Sequence, residues 1–201
     1  MKNTKHTYKQ EALSGIQDVK NRNQITKIIE QMDNPIGCEV GVRTGDFFKT
    51  LYTSNVQKMY AIDIWKDTGT LSQNDLGLNQ HQLDNQYKNF CKKYQLDSKV
   101  KVIRDFSEKA SKNFPDNYFD FVYLDADHSY EGVSIDLQAW YPKLKIGGLF
   151  GGHDYVAASK RMSFGVIGAV DEFVNNLKTS NQPVDLYITP CGWPSWFFIK
   201  V

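Results

Sequence analysis

The chain has 201 residues, and its 24 lysines and arginines nearly balance 23 aspartates and glutamates, for a formal net charge of +1. The charges are mixed along the sequence, which excludes the basic surface typical of proteins that bind nucleic acid or anionic membranes. No apolar run approaches the ~20 residues of a membrane span, and the three cysteines are too few and too widely spaced for a disulfide framework. We therefore predict a cytoplasmic protein whose partner is a small molecule; composition does not decide between a monomer and a homo-oligomer.

Strand-like apolar runs alternate with helical patterns along a single predicted domain, residues 1–201. The predicted strands cover residues 36–40, 59–64, 100–105, 119–125, 148–152, 184–188 and 196–201. The predicted helices cover residues 24–32, 46–52, 85–94, 131–142 and 166–177. This alternation predicts a doubly wound, mostly parallel α/β sheet whose last two strands form an antiparallel hairpin. We expect a polar N-terminal extension over residues 1–23 and a substrate lid in the polar insertion 66–82.

A glycine-containing loop should connect the first predicted strand to the helix that follows it. Gly41 and Gly45 allow the backbone to bend sharply and to approach a ligand closely. The dinucleotide fingerprint has a further glycine two residues after the first, where this chain has Arg43, so a pyrophosphate is not favoured. Asp46, in the first turn of the helix, would repel a phosphate but tolerate a cationic amino acid group. The loop therefore indicates an adenosine-containing ligand without a pyrophosphate.

Acidic groups follow successive predicted strands, namely Glu39, Asp63, Asp105, Asp125 and the pair His153-Asp154. Because the carboxyl ends of the strands of a doubly wound sheet line one crevice, we expect these side chains to converge. Asp63 lies about twenty residues beyond the glycine loop, where a carboxylate can accept both ribose hydroxyls. The adjacent Trp65 either flanks the adenine or packs in the core.

Two longer segments make the pattern specific, residues 125–131 (DADHSYE) and 147–155 (GGLFGGHDY), with Asp136, Leu137 and Trp140 between them. With these motifs, residues 36–178 resemble the class I S-adenosylmethionine-dependent methyltransferases. Within that class the chain is most similar to the sugar and small-molecule O-methyltransferase branch, which includes macrolide-sugar methyltransferases and cephalosporin-hydroxylase-like proteins. The resemblance implies S-adenosyl-L-methionine as cofactor and a Rossmann-like seven-stranded sheet with a reversed last strand.

The resemblance also implies roles for individual residues. The methionine end of the cofactor would be held by Glu39, Gly41 and Gly45, the ribose by Asp63, and the adenine by Asp105 with Ser107. In metal-dependent relatives, a carboxylate after strand four and a pair after strand five hold a divalent cation, which matches Asp125, His153 and Asp154. In those relatives a general base lies three residues after the strand-four carboxylate, and this chain has His128 at that place.

Chemistry supports a metal-assisted site, because a cation can chelate neighbouring hydroxyls while an imidazole removes a proton. His153 stands where relatives usually carry an acid, and its nitrogen favours Mn²⁺ over Mg²⁺, or no metal. His153 could also orient a metal ligand without binding the metal, or it could be the base itself. His128 could be a polar residue at a helix start. We expect Asp127 to bind the loop backbone and Glu131 to be solvated.

The predicted activity is transfer of a methyl group to a hydroxyl of a sugar, on a glycan or a glycosylated metabolite. The alternatives are a catechol-like phenol as acceptor, or a cofactor-binding module without catalysis. Acceptor choice should depend on the insertion 66–82 and on residues 155–164, which include Arg161. Four aromatic residues could stack on the acceptor or pack in the core: Tyr130, Tyr155, Trp193 and Trp196.

Overall fold

Seven strands form one mixed sheet in the computed structural model of the protein, which describes residues 15–70, 72, 74, 76–160 and 162–201. They are β1 (Ile36–Val40), β2 (Lys58–Asp63), β3 (Val100–Arg104), β4 (Phe119–Leu124), β5 (Leu144–Gly152), β6 (Tyr187–Ile188) and β7 (Trp196–Ile199). The strand order is β3-β2-β1-β4-β5-β7-β6; β1 to β5 are parallel, and β7 is antiparallel to both of its neighbours. The predicted doubly wound sheet and its C-terminal hairpin are confirmed.

Helices cover both faces of the sheet. They are α1 (Thr26–Ile29), α2 (Asp46–Leu51), α3 (Gln80–Tyr94), α4 (Ser107–Ser111), α5 (Tyr130–Trp140) and α6 (Val166–Thr179). Helices α1 to α3 contribute to one buried apolar cluster and α4 to α6 to another. No helix in the described segments is long and apolar enough to cross a bilayer.

Strand β4 contributes side chains to both apolar clusters, one on each face of the sheet. Phe121 and Tyr123 belong to the cluster with α1 to α3, whereas Val122 and Leu124 belong to the cluster with α4 to α6. Successive side chains of a strand point to opposite faces, so residues 121–124, which are covered on both sides, are all apolar. The carboxyl ends of β1, β2, β4 and β5 consequently lie between the two helix layers, at one edge of the sheet.

Several element bounds differ from the prediction. The first predicted helix is a 3-10 turn, Arg22–Ile25, followed by the single turn α1. Helix α3 begins five residues before its predicted start, because Asn79 and Gln82 form a capping box there. The first turn has no apolar stripe, so periodicity did not reveal it. Helix α4 was not predicted, since five residues are too few to show helical periodicity.

The last strands of the sheet also depart from their predicted bounds. Strand β5 starts at Leu144 rather than at residue 148, because the pairing with β4 continues through a register shift. Gly147 has φ of +82° in this irregular stretch, a conformation that suits glycine. Strand β6 is shorter than predicted, because only Tyr187 and Ile188 pair with β7.

Parts of three predicted segments lie outside the described residues: residues 1–14 of the N-terminal extension, Leu71, Gln73 and Asp75 of the insertion, and Arg161 of the acceptor loop. Residues 15–23, within the predicted extension, contact the domain core, where Ile16 and Val19 are buried. The backbone N–H of His128 donates to the carbonyl of Ser72 at 3.0 Å, so the insertion touches the loop after β4.

Candidate active site

The glycine loop after β1 is fixed by the strands on both sides of it. The N–H of Gly41 donates to the Ile62 carbonyl at 2.8 Å, and the N–H of Asp125 donates to the Val40 carbonyl at 2.7 Å. Gly41 has φ of +93°, and a Cβ there would lie 2.0 Å from the Asp125 carbonyl oxygen. The close approach of Asp125, directly after β4, therefore requires glycine at residue 41, which also lines the cavity described below.

Gly45 has a related role in this loop. Its φ is +81°, and a Cβ there would lie 2.5 Å from the ring of Phe90 on α3. Gly45 thus allows the turn into α2 and the packing of α3 beneath it. Among the residues predicted to form the site, it is the one that does not line the cavity described next.

A cavity of about 840 Å³ opens at the carboxyl ends of β1 to β5. It is lined by the predicted residues Glu39, Gly41, Asp63, Trp65, Asp105, Ser107, Asp125, His128, His153 and Asp154. The expected convergence of strand-end acids is therefore observed. The volume is in the range of pockets that enclose a cofactor-sized molecule.

Asp63 ties the glycine loop to the loop after β2. Its Oδ2 accepts a hydrogen bond from the Arg43 N–H at 2.7 Å, and its Oδ1 accepts one from the Trp65 N–H at 2.6 Å. Burial raises the pKa of Asp63, although these backbone donors oppose the shift. A carboxylate has about four acceptor sites, so a contact with a ribose hydroxyl is compatible with this geometry.

The Trp65 indole is packed in the core, the second of the two interpretations offered by the sequence. The residue is 1% exposed, and its ring contacts Tyr87 and Phe90. Its Nε1–H donates to the carbonyl of Arg43 at 2.8 Å. Trp65 thus supports the glycine loop from below, on the side of the loop that α3 covers.

The far end of the cavity is formed by β3, α4 and α5. Asp105 Oδ1 accepts from the Phe106 N–H at 2.8 Å, and Ser107 Oγ accepts from the Trp140 indole at 2.8 Å. Asp136 lies next to Ser107 and is buried. Burial raises the pKa of Asp136 to about 7, with the Ser107 hydroxyl opposing the shift. The role of Asp136 in the site was not predicted; its signal is an acid inside the apolar stripe of α5.

Glu39 is a buried acid at the other end of the cavity. It is 1% exposed, and its Oε2 has no hydrogen-bond partner among the described residues. Burial raises the pKa of Glu39 well above its usual value, and the neighbouring charge of Asp125 adds to the shift. An unpaired buried carboxyl is costly in a folded protein. An ammonium group of a ligand at this end would satisfy it, which fits the predicted methionine end of the cofactor.

Two aspartates and two histidines meet where β4 and β5 end. His128 Nε2 lies 2.9 Å from Asp154 Oδ2 and 3.6 Å from Asp125 Oδ1. His153 Nδ1 lies 2.8 Å from Asp154 Oδ1 but 4.0 Å from Asp125 Oδ1. Ligand atoms of Asp125, His128 and Asp154 all lie within 4.8 Å of one another, close enough to hold a metal ion. The predicted metal ligands were Asp125, His153 and Asp154; both histidines lie beside the two carboxylates, and His128 is the one closer to Asp125.

The two carboxylates control the charge of His128. Burial lowers the pKa of His128, but Asp125 and Asp154 outweigh burial and raise it to about 10. Burial raises the pKa of Asp154, and the two histidines more than reverse that effect, so it lies below its usual range. Neither ring nitrogen of His128 makes a well-directed hydrogen bond among the described residues. A cation between the carboxylates would suit this arrangement, because they and an unsatisfied nitrogen are typical metal donors.

Arg22 enters the site from the segment predicted as a polar extension. Its Nη1 lies 3.2 Å from Asp125 Oδ2, and its guanidinium carbon is 4.6 Å from the centre of the Phe47 ring. Phe47 is in the first turn of α2, directly after the glycine loop. No sequence signal pointed to Arg22, because its partner is 103 residues away in the chain.

The four aromatic residues proposed for the acceptor occupy different environments. Tyr130 and Tyr155 donate their hydroxyls to Glu172 and Asp171 on α6 and so support that helix. Trp196 is buried in the core, whereas Trp193 is 50% exposed and lines the cavity. Phe164, which was not singled out individually, stacks on His128 and contacts Trp193.

Asp127 and Glu131 lie where the sequence predicted, one bound to the loop backbone and the other exposed to solvent. Asp127 Oδ1 accepts from the Ser129 N–H at 2.8 Å and so holds the loop before α5. Glu131 is exposed in the first turn of α5.

The strand order with a reversed β7, and a cavity joining the glycine loop to the acids of β2 and β4, define a class I S-adenosylmethionine-dependent methyltransferase. A family model described as a methyltransferase domain matches residues 36–155, more than half of the chain, and the chain belongs to this family. No curated protein sequence matches the chain. The enzyme uses S-adenosylmethionine as methyl donor and acts on a small-molecule acceptor.

Solved structures share the fold at low sequence identity. A methyltransferase from Aquifex aeolicus aligns at 16% identity with a TM-score of 0.56, over 94% of this chain and 98% of its own. A Staphylococcus aureus protein proposed to be a caffeoyl-CoA O-methyltransferase aligns at 15% identity with a TM-score of 0.59, over 90% and 82%. The O-methyltransferase NovP aligns at 14% identity with a TM-score of 0.58, over 92% and 79%. At these identities the likeness establishes the fold alone.

Proposed function

We propose that the protein is an O-methyltransferase that methylates a sugar hydroxyl with the help of a divalent cation. The observation that carries the proposal is that one cavity contains both Glu39, at the glycine loop, and the cluster of Asp125, His128 and Asp154. A methyl donor held at the first end would present its reactive methyl towards the second. S-adenosylmethionine, when bound, supplies that methyl on a sulfonium, from which a hydroxyl oxygen displaces it.

The residues around the cluster would prepare the acceptor. Asp125 and Asp154 would hold the cation, with His153 fixing Asp154 through its Nδ1, 2.8 Å from Oδ1. A divalent cation held there would supply Lewis-acid chemistry that lowers the pKa of an acceptor hydroxyl. With Asp125 and Asp154 engaged as ligands, Nε2 of His128 would accept the hydroxyl proton.

The exposed aromatic surface beside the cluster supports a sugar as the acceptor. Trp193 offers a half-exposed ring at the cavity, and Phe164 extends the apolar surface to the ring of His128. Pyranose rings have apolar faces that stack on aromatic rings, and their neighbouring hydroxyls can chelate a cation. The insertion 66–82, which contacts His128 through Ser72, would close over this side as a lid.

The test is methyl transfer from radiolabelled S-adenosylmethionine to a panel of sugars and catechols, with Mn²⁺, with Mg²⁺ and with chelator. We expect transfer to a sugar that chelator abolishes. Transfer to catechols alone would contradict the sugar assignment, and full activity in chelator would contradict the cation.

The variant His128→Gln distinguishes between two roles of His128, general base and metal ligand. If His128 is the base, the variant binds Mn²⁺ like the wild type but loses transfer by about 100-fold or more. His81→Gln, on the exposed side of α3, is the matched control and should leave transfer unchanged. Loss of Mn²⁺ binding in His128→Gln would contradict the assignment of His128 as base.

A further inference from the structure

We propose that Arg22 binds the α-carboxylate of the methionine end of the cofactor, exchanging Asp125 for the ligand. The inference rests on the S-adenosylmethionine-dependent activity stated above, and it assigns a binding role to a residue before the first strand.

The methionine end carries an ammonium and a carboxylate, and it needs partners of both signs. Near β1 the cavity is lined by three acids, Glu39, Asp46 and Asp125. These acids suit the ammonium and the sulfonium, but they would repel a carboxylate placed among them. A carboxylate at this end therefore needs a cationic side chain close to Glu39 and Asp125.

The described residues that line the cavity include four lysine and arginine side chains, those of Arg22, Arg43, Lys66 and Lys109. Lys66 follows β2 and Lys109 belongs to α4, both on the side of the predicted ribose and adenine sites. Arg43 lies in the glycine loop, and its main chain is bound towards β2 by Asp63. Arg22 is the one that contacts the end of β4, through its 3.2 Å pair with Asp125.

The guanidinium is held in place for such a contact. Its Cζ lies over the Phe47 ring, 4.6 Å from the ring centre, so the helix after the glycine loop contacts it through a cation–π interaction. Burial of Ile25 anchors the 3-10 turn that contains Arg22. A guanidinium offers five N–H donors in a fork that matches a carboxylate, and the pair with Asp125 uses Nη1.

An exchange of partners also has a consequence for Asp125. While Arg22 is paired with it, one oxygen of Asp125 is occupied by a guanidinium. When the cofactor carboxylate takes Arg22, that oxygen becomes available at the cluster with His128 and Asp154. Cofactor binding would in this way prepare the place where the acceptor hydroxyl is activated.

The experiment compares two ligands that differ only in the carboxylate. S-adenosylhomocysteine and its decarboxylated analogue, S-adenosyl-3-thiopropylamine, are titrated by calorimetry into the wild type, Arg22→Met and Arg22→Lys. The side chain introduced by Arg22→Met keeps an apolar stem against Phe47 but removes the positive charge and the forked N–H donors of the guanidinium. Lys27→Met, an exposed charge on α1 close in sequence, is the matched control.

We expect Arg22→Met to bind S-adenosylhomocysteine roughly 10- to 100-fold more weakly, the range for a lost charge-assisted hydrogen bond. Its affinity for the decarboxylated analogue should stay within about threefold of the wild type, and Arg22→Lys should lie between the two. The wild type should prefer S-adenosylhomocysteine over the analogue by the same factor that Arg22→Met loses.

Three outcomes would overturn the inference. Unchanged binding of S-adenosylhomocysteine by Arg22→Met would place the carboxylate elsewhere, and equal loss of both ligands would reduce Arg22 to a structural support. The analogue serves as a folding control within each variant, since a damaged fold weakens both ligands. If the wild type binds neither ligand, the cofactor assignment fails first, and this inference fails with it.

Discussion

The buried carboxyl of Asp136 should make the stability of the protein fall as pH rises. Burial, with a smaller contribution from the charge of Asp127, raises the pKa of Asp136 from 3.8 to about 7. The difference corresponds to about 4 kcal/mol at 1.36 kcal/mol per pKa unit. Between these pKa values the folded protein keeps a proton that the unfolded chain has released. The free energy of unfolding therefore falls by about 1.4 kcal/mol per pH unit in that window and levels off above pH 7.

Asp136→Asn removes the titrating group and keeps a side chain of the same shape beside Ser107. Urea unfolding from about pH 4 to pH 8 should show a stability difference, variant minus wild type, that grows by up to about 4 kcal/mol. Asp185→Asn, at an exposed aspartate, should show no such growth. A difference for Asp136→Asn that stays constant across the pH range would refute the reasoning.

Two further predictions concern the glycine loop. Gly41→Ala should destabilise the protein by about 3 kcal/mol or more, because the new Cβ meets the Asp125 carbonyl. Gly69→Ala, at φ of +75° with no atom within 4 Å, should cost only about 1 kcal/mol; equal thermal shifts in the two variants would argue against a clash. Trp65→Phe should cost about 2 kcal/mol in urea unfolding, because the carbonyl of Arg43 loses its indole donor. An unchanged unfolding midpoint would show that this hydrogen bond does not support the loop.

The sheet could be predicted because its signals are local. Strand β1 has the predicted bounds, since an apolar run between Pro35 and the first glycine of the loop marks both ends. The acids at strand ends converge because parallel strands share one edge, which follows from topology alone. Helix α4 has no such signal, because five residues span little more than one turn.

The arrangement of the site could be predicted only in part. Asp125 and Asp154 converge, as expected of acids at the ends of neighbouring parallel strands, but the positions of the His128 and His153 side chains depend on loop conformation. Asp154 has φ of +56°, which sequence does not reveal for a residue other than glycine. Arg22 was missed for another reason, since an ion pair across 103 residues leaves no periodic pattern.

Binding of S-adenosylhomocysteine tests the central claim most directly. The purified protein would be titrated by calorimetry with this ligand and, separately, with NAD, each in Mn²⁺, in Mg²⁺ and in chelator. We expect micromolar affinity for S-adenosylhomocysteine and no heat with NAD, because the glycine loop and the unpaired Glu39 suit an adenosine with a cationic end. Absence of S-adenosylhomocysteine binding in every condition would contradict the account and leave the cavity to another ligand.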